Sequence, residues 1–225
     1  MKQIILILVL GLGLIALTAC GLSRRSDSLT SAPSEPAVPS GSSVPSTPAA
    51  PAVLADGIYQ VDTAASRVTW QAAKITATHT GSVSLRSGSL QVSGGALSGA
   101  SFTIDMPTIT SNENIDPLVK HLKSPDFFDV ATYPEASLTV KSVRPGTAAG
   151  EYVLSGDLTV KSVTAPVEFT AQVMPTAKGL EARSSLSIDR TKWGIKYLSG
   201  NFFKDLGDKA IEDTIKFDIV LAATR

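Results

Sequence analysis

Cysteine occurs once in these 225 residues, at Cys20, and histidine only twice, at His79 and His121. A single cysteine excludes an internal disulfide and a thiolate metal cluster. Two histidines far apart in the chain, with no His-x-x-x-His or Glu-x-x-His spacing, give no metal motif. No Gly-x-Ser-x-Gly elbow is present, so a serine hydrolase lacks its nucleophile. Charge of one sign is missing too. The 20 basic and 20 acidic residues cancel, and nothing resembles the basic face that nucleic acid requires. Nor is there a polybasic segment for anionic membrane surfaces. The paired carboxylates Asp205 with Asp208 and Glu212 with Asp213 lie in polar surroundings and read as solvated charges. On these grounds the chain is not expected to be an enzyme or to carry a cofactor or metal.

What is present begins with an apolar run, Ile4 to Leu17, behind Lys2. It is too short to span a bilayer with proper flanks and reads as a secretory leader, residues 1–19. It ends in Leu17-Thr18-Ala19-Cys20, which resembles the lipobox of bacterial lipoproteins, where the cysteine is acylated. Cys20 is thus the expected lipid anchor. The expected location is the cell envelope, facing the periplasm, and the outer membrane in a Gram-negative host because Gly21 rather than aspartate follows. Residues 20–55 are rich in Pro, Ser and Ala, with Asp27 and Glu35 as the only charges after Arg25. Such a composition cannot bury enough apolar area to order itself, and predicts a disordered tether.

From Ile58 the chain alternates with period two. Val68, Trp70 and Ala72 share a face, as do Val83 and Leu85; Phe102, Ile104 and Met106; Leu138 and Val140; and Tyr152 through Val160 at every second position. Val167 to Val173, Leu180 to Ile188 and Ile215 to Leu221 repeat the pattern. One apolar and one polar face per strand is the antiparallel, half-buried signature. Eight or so strands over residues 56–225, with almost no helix to cover them, favour closure into a barrel or sandwich. Two segments break the rhythm. Asn114 to Phe128 carries helical spacing, and Trp193 to Leu206 is aromatic and glycine-punctuated. Both are expected to cap the mouth. Small residues on the inward series (Ala72, Gly156, Ala171, Ala182, Ser184) suit a ligand chamber, although larger neighbours could also fill that space.

Several blocks then become recognisable. They are Lys74-Ile75-Thr76-Ala77-Thr78-His79-Thr80-Gly81, His121-Leu122-Lys123-Ser124-Pro125-Asp126-Phe127-Phe128-Asp129-Val130 with Tyr133-Pro134, Gly156-Asp157-Leu158-Thr159-Val160-Lys161, and Ile188-Asp189-Arg190-Thr191-Lys192-Trp193-Gly194-Ile195. Together they resemble the YceI family from Tyr59 to the end of the chain. The resemblance implies an all-β fold: a single antiparallel eight-stranded lipocalin-like barrel with a short helical insertion, secreted or periplasmic. It also implies a polyisoprenoid or other long-chain amphiphile in the lumen, and no firmly attached enzymatic activity. The lipobox with its long tether departs from many members, as does Ser162 where glycine is more usual.

On that reading the lumen walls are Trp70, Val83, Leu85, Phe102, Ile104, Leu138, Leu154, Leu158, Phe169, Ala171, Leu186 and Phe217, each of which could equally be ordinary core. Lys74, His79, Arg190, Lys192 and Tyr197 are candidates for a lipid head group, since cationic donors bind phosphate oxygens. Arg190 could instead form a structural ion pair with Asp189 or Asp126. The expected partners are a long-chain lipid or isoprenoid and, through Cys20, a membrane. The competing reading is a structural or partner-binding lipoprotein whose barrel is filled by its own side chains.

Overall fold

The computed structural model describes residues 53–225. The leader, Cys20 and the tether up to residue 52 lie outside the described residues. Nine strands and one helix follow in order: β1 Gly57–Val61, β2 Arg67–Lys74, β3 Ala77–Ser93, β4 Ala96–Asp105, α1 Asp116–Lys123, β5 Glu135–Pro145, β6 Glu151–Val160, β7 Val163–Thr176, β8 Gly179–Asp189 and β9 Ile211–Thr224. Each of β2 to β9 pairs antiparallel with its sequence neighbour, and β9 pairs with β2, which closes an eight-stranded barrel. The extra strand β1 continues the line of β2. It pairs with the far half of β3 at Gly57–Gln60 and touches β9 at Gln60 and Val61.

Alternation explains why these segments are strands. In β6 every second residue from Tyr152 to Val160 is buried, which is possible only where one face meets a core. The inward faces merge into one cluster that includes Val68, Trp70, Leu85, Leu154, Leu186 and Leu221. Besides a register shift of β2 against β9 between Ala72 and Lys74, three one-residue β-bulges interrupt the period, at Arg86 in β3, at Ser98 in β4 and at Lys141 in β5. Each bulge moves the inward series onto the other parity of residue number. Leu85 is thus followed inward by Gly88, Leu90 and Val92, and Val140 by Val143.

The two ends differ. At the β1 end, Leu54, Leu90, Val173, Leu180 and Ala223 are each 2% exposed. Leu54, placed with the tether by composition, packs here. Its amide donates to Gly95 O at 3.0 Å, and the Asp56 carboxylate accepts from the amides of Gly94 and Gly95. At the opposite end lie α1 and the long β8–β9 connection, residues 190–210.

The wall is not paired throughout. β7 and β8 pair only over Thr170–Thr176 and Gly179–Ser185, then diverge toward the α1 end. Trp193, in the 3-10 turn Arg190–Trp193 after β8, is 2% exposed, and its Nε1 donates to Leu158 O at 2.8 Å. Trp193 stands in the segment expected to cap the mouth, and its tightly held indole packs against β6 beside this seam. The divergence leaves the first half of β7 as an edge, where Pro166 is tolerated because its missing N–H would have had no ladder partner.

The β6–β7 turn explains Ser162. Val160 pairs with Val163 across Lys161-Ser162, and Lys161 is the residue with positive φ, 56°. Glycine's freedom is therefore not required at 162.

Candidate ligand chamber

Inside the barrel lies a cavity of about 170 Å³. A single water needs only about 10–15 Å³ by the same measure, so the space is far larger than a packing defect. On β9 the lining runs from Ile211 to Leu221. Ten residues of strand span roughly 33 Å, or on the order of 25 Å along the axis of a barrel tilted by about 40°. The space is long and narrow.

Its walls are nearly all hydrocarbon. All twelve residues proposed for the lumen, Trp70, Val83, Leu85, Phe102, Ile104, Leu138, Leu154, Leu158, Phe169, Ala171, Leu186 and Phe217, line it. Phe102, Ile104, Phe169 and Phe217 face inward yet stay only half-buried; in a filled barrel such side chains would be fully covered. The void has a local cause. Across neighbouring strands Ala171 stands opposite Ser184, and Ser184 opposite Ile219, so two adjacent inward positions carry almost no side chain. Ala72 and Ala182 also face the space. Gly156 does not: a Cβ there would lie 2.5 Å from Thr139 O, so this glycine serves the close approach of β5 to β6. Gly81 is similar, with a would-be Cβ 1.9 Å from Thr110 O and 2.5 Å from the Trp70 indole. That bare position lets Trp70 lie across β3 and donate to Thr110 O at 3.1 Å.

Sequence reading missed two groups. Leu90 and Leu97 line the chamber from beyond the bulges, where only a paired register reveals that their parity has changed, and Ala100, on the same parity as Phe102 and Ile104, lines it too. Met106, Ile109, Leu122, Phe127 and Phe128 line it from the cap. The cap itself was foreseen, but which of its side chains turn inward was not. Phe127 joins His121 and Tyr197 in an aromatic cluster with ring centroids 4.6–5.5 Å apart, tying α1 to the β8–β9 connection. Phe128, Tyr197 and Ile211 are half-buried here, in contrast to the sealed β1 end, and the chamber opens on this side.

The proposed head-group residues separate into two kinds. Arg190 is a correction: it borders the chamber but is 1% exposed, and its guanidinium is bound into the fold. Its Nε donates to Glu212 O at 3.1 Å, Nη1 to Ile195 O at 2.9 Å and Nη2 to Ile211 O at 3.1 Å, and it pairs with Asp213 at 3.0 Å. Burial lowers its pKa from the ordinary value, while Asp213 and Asp189 oppose that shift; a guanidinium stays charged regardless. The partner is Asp213, not Asp189 or Asp126. Asp213 is also a correction to the solvated reading, because its other oxygen accepts from Ser199 Oγ and Asn201 Nδ2, each at 2.8 Å.

Lys74, His79, Lys192 and Tyr197 do lie at the α1 end, with both lysines exposed. His79 faces inward opposite Ala72. Its Nδ1 is buried without a hydrogen-bond partner, 3.8 Å from Glu113 Oε2. The hydroxyl of Ser111 and then the amide of Thr80 hold the Glu113 carboxylate down to a pKa of about 2. The arrangement offers an apolar chamber whose lining carries only Ser184, Arg190 and Glu212 as polar residues. No group of three or more His, Cys, Asp or Glu placed to hold a metal occurs among the described residues.

The comparisons agree with this architecture. A UPF0312 protein of Photorhabdus laumondii is 35% identical over 108 residues, covering 44% of this chain and 50% of its own length. The chain thus spans about half of that relative. Two solved structures share the fold. Burkholderia cenocepacia BcnA has a TM-score of 0.61 at 20% identity, covering 73% of this chain and 99% of its own. A polyisoprenoid binding domain from Saccharophagus degradans, implicated in plant cell wall breakdown, has a TM-score of 0.58 at 21% identity, covering 74% and 97%. Residues 59–223, which include the whole barrel from Tyr59 to Ala223, match the YceI-like domain, and the chain belongs to that family.

Proposed function

We propose that the barrel binds one long apolar lipid, a polyisoprenoid or a related amphiphile, without chemical change to it. The observation that carries this reading is the shape and chemistry of the void: long, narrow, open at one end and walled by hydrocarbon. Burying apolar chain there removes it from water at about 25 cal/mol per Å². An anionic head would remain outside, near Lys74, His79, Lys192 and Tyr197, because the one cation that borders the chamber, Arg190, is already paired with Asp213. The naming of a fold neighbour as a polyisoprenoid binding domain supports the same choice of guest. The test is titration with a fluorescent long-chain fatty acid probe, followed by competition with a polyisoprenoid alcohol. We expect saturation at one probe per chain and full displacement by the isoprenoid. Uptake equal to that of a protein without a cavity would refute the reading.

The resting place belongs to the same proposal. The lipobox resemblance supports an acylated Cys20 that holds the protein in the envelope, facing the periplasm, with the outer membrane as the Gram-negative site. Each buried methylene of an acyl chain contributes about 0.8 kcal/mol to membrane binding. Cys20→Ser should therefore move the protein from the membrane to the soluble fraction with no change in thermal midpoint. Retention of the variant on membranes would overturn the anchor.

A further inference from the structure

Large apolar side chains that stay in water cluster at the chamber's open end. Ile75 is 66% exposed and Phe202 and Phe203 are each 49% exposed. They stand on neighbouring turns: Lys74 pairs with Ile211, Ile211 bridges to Ser199, and the amides of Phe202 and Phe203 both donate to Ser199 O at 3.0 Å. The phenyl rings are not exposed for want of order. Asp213 grips Ser199 and Asn201, and Arg190 grips Ile195 O, so the connection is clamped from below. The fold holds two aromatic rings outward on a fixed turn.

Lysines occupy the same end. Lys74, Lys192, Lys196, Lys204 and Lys209 are exposed, and none forms an ion pair among the described residues. Lys196 Nζ sits 4.5 Å above the Phe202 ring. Over residues 192–212 these exposed lysines stand four against three exposed acids, Asp205, Asp208 and Glu212, while Glu113, Asp116 and Asp126 are exposed on the α1 side of the same end. Apolar tips with lysines at the same end match a bilayer carrying anionic head groups. The rings reach the acyl boundary while the ammonium groups stay among the phosphates.

We propose that the Phe202–Phe203 turn, with Ile75 and the lysines of this end, docks the open end of the barrel onto an anionic lipid bilayer. A guest could then pass between membrane and chamber without crossing water. That purpose rests on the lipid-binding reading, whereas the docking itself does not.

The test uses the full chain carrying Phe202→Trp, with vesicles of phosphatidylcholine and phosphatidylglycerol whose acyl chains are brominated. Wild type supplies the baseline, since its tryptophans, Trp70 and Trp193, are both buried. The added indole should shift to the blue and lose on the order of half its emission, as a ring at the acyl boundary would. Lys196→Glu with Lys204→Glu should weaken this partition about tenfold or more at low salt, since each surface lysine counts for a similar factor. An added indole that stays water-like on vesicles carrying the protein would overturn the proposal. So would a blue shift that appears without vesicles and grows with protein concentration, which would mark a contact between copies. The chamber reading is scored separately. Trp70 lines the chamber, so quenching in wild type reports lipid entry. Quenching of the added indole alone would leave docking standing and count against the chamber.

Discussion

Arg190→Met should destabilise the protein by about 3–5 kcal/mol, the cost of breaking a buried ion pair from one side. The substitution leaves the carbonyls of Ile195, Ile211 and Glu212 without their donor and Asp213 without its counter-charge. Each buried group left unpaired costs about 1–3 kcal/mol. Because the same knot clamps the β8–β9 connection, the loss should also loosen the mouth and expose residues 195–203 to early proteolysis. Arg190→Lys should fall between, since an ammonium keeps the charge but cannot reach three carbonyls with a planar fork. Replacing both partners, Arg190→Met with Asp213→Leu, should recover part of the loss because no charge is then stranded. Urea midpoints decide the matter. A cost below about 1 kcal/mol, the range of an exposed pair, would mean that the knot is solvated and does not hold the cap.

Ala171→Phe should separate binding from folding. Ala171 is buried on the inward face of β7, opposite Ser184 on one side and Tyr152 on the other. A phenyl ring there projects into the empty part of the chamber beside the short Ser184 side chain. In a filled barrel it would overpack and cost about 1–3 kcal/mol. With vacant space the urea midpoint should hold or rise. Binding of a long-chain probe should weaken at least tenfold, about 1.4 kcal/mol, because the ring occupies the guest's path. Lost stability with unchanged probe affinity would favour a barrel filled by its own side chains.

Much of this was legible in the sequence because each strand buries one face only. In β6, β7 and β8 the period of two runs unbroken, and in β2 and β9 it holds up to the register shift between Ala72 and Lys74, so Trp70, Leu154, Phe169, Ala171, Leu186 and Phe217 could be assigned an inward direction from residue order alone. The bulges at Arg86, Ser98 and Lys141 set the limit. One extra residue reverses every later side chain, and composition gives no sign of where it falls. Hence Leu90 and Leu97 were missed. Arg190 shows a second limit. Its sequence neighbour Asp189 accepts from Thr191 instead, and the true partner, Asp213, arrives only when β9 pairs with β8. Residue order showed a cation near a mouth; the fold turns its guanidinium onto three backbone carbonyls and Asp213. The exposed Phe202–Phe203 pair read as part of a cap, and only the clamp beneath it reveals that the rings face water.

The central claim is that the chamber holds a guest, and the most direct test is to isolate the full chain from its own host and weigh it. Native mass spectrometry under gentle conditions should show the acylated chain plus one further mass. Denaturation should release that mass, whereas acyl groups on Cys20 would remain. Solvent extraction should identify it as a long-chain apolar lipid at about one per chain, and the Ala171→Phe protein should carry little of it. A chain that flies bare from its host, with Ala171→Phe indistinguishable from wild type, would contradict the account.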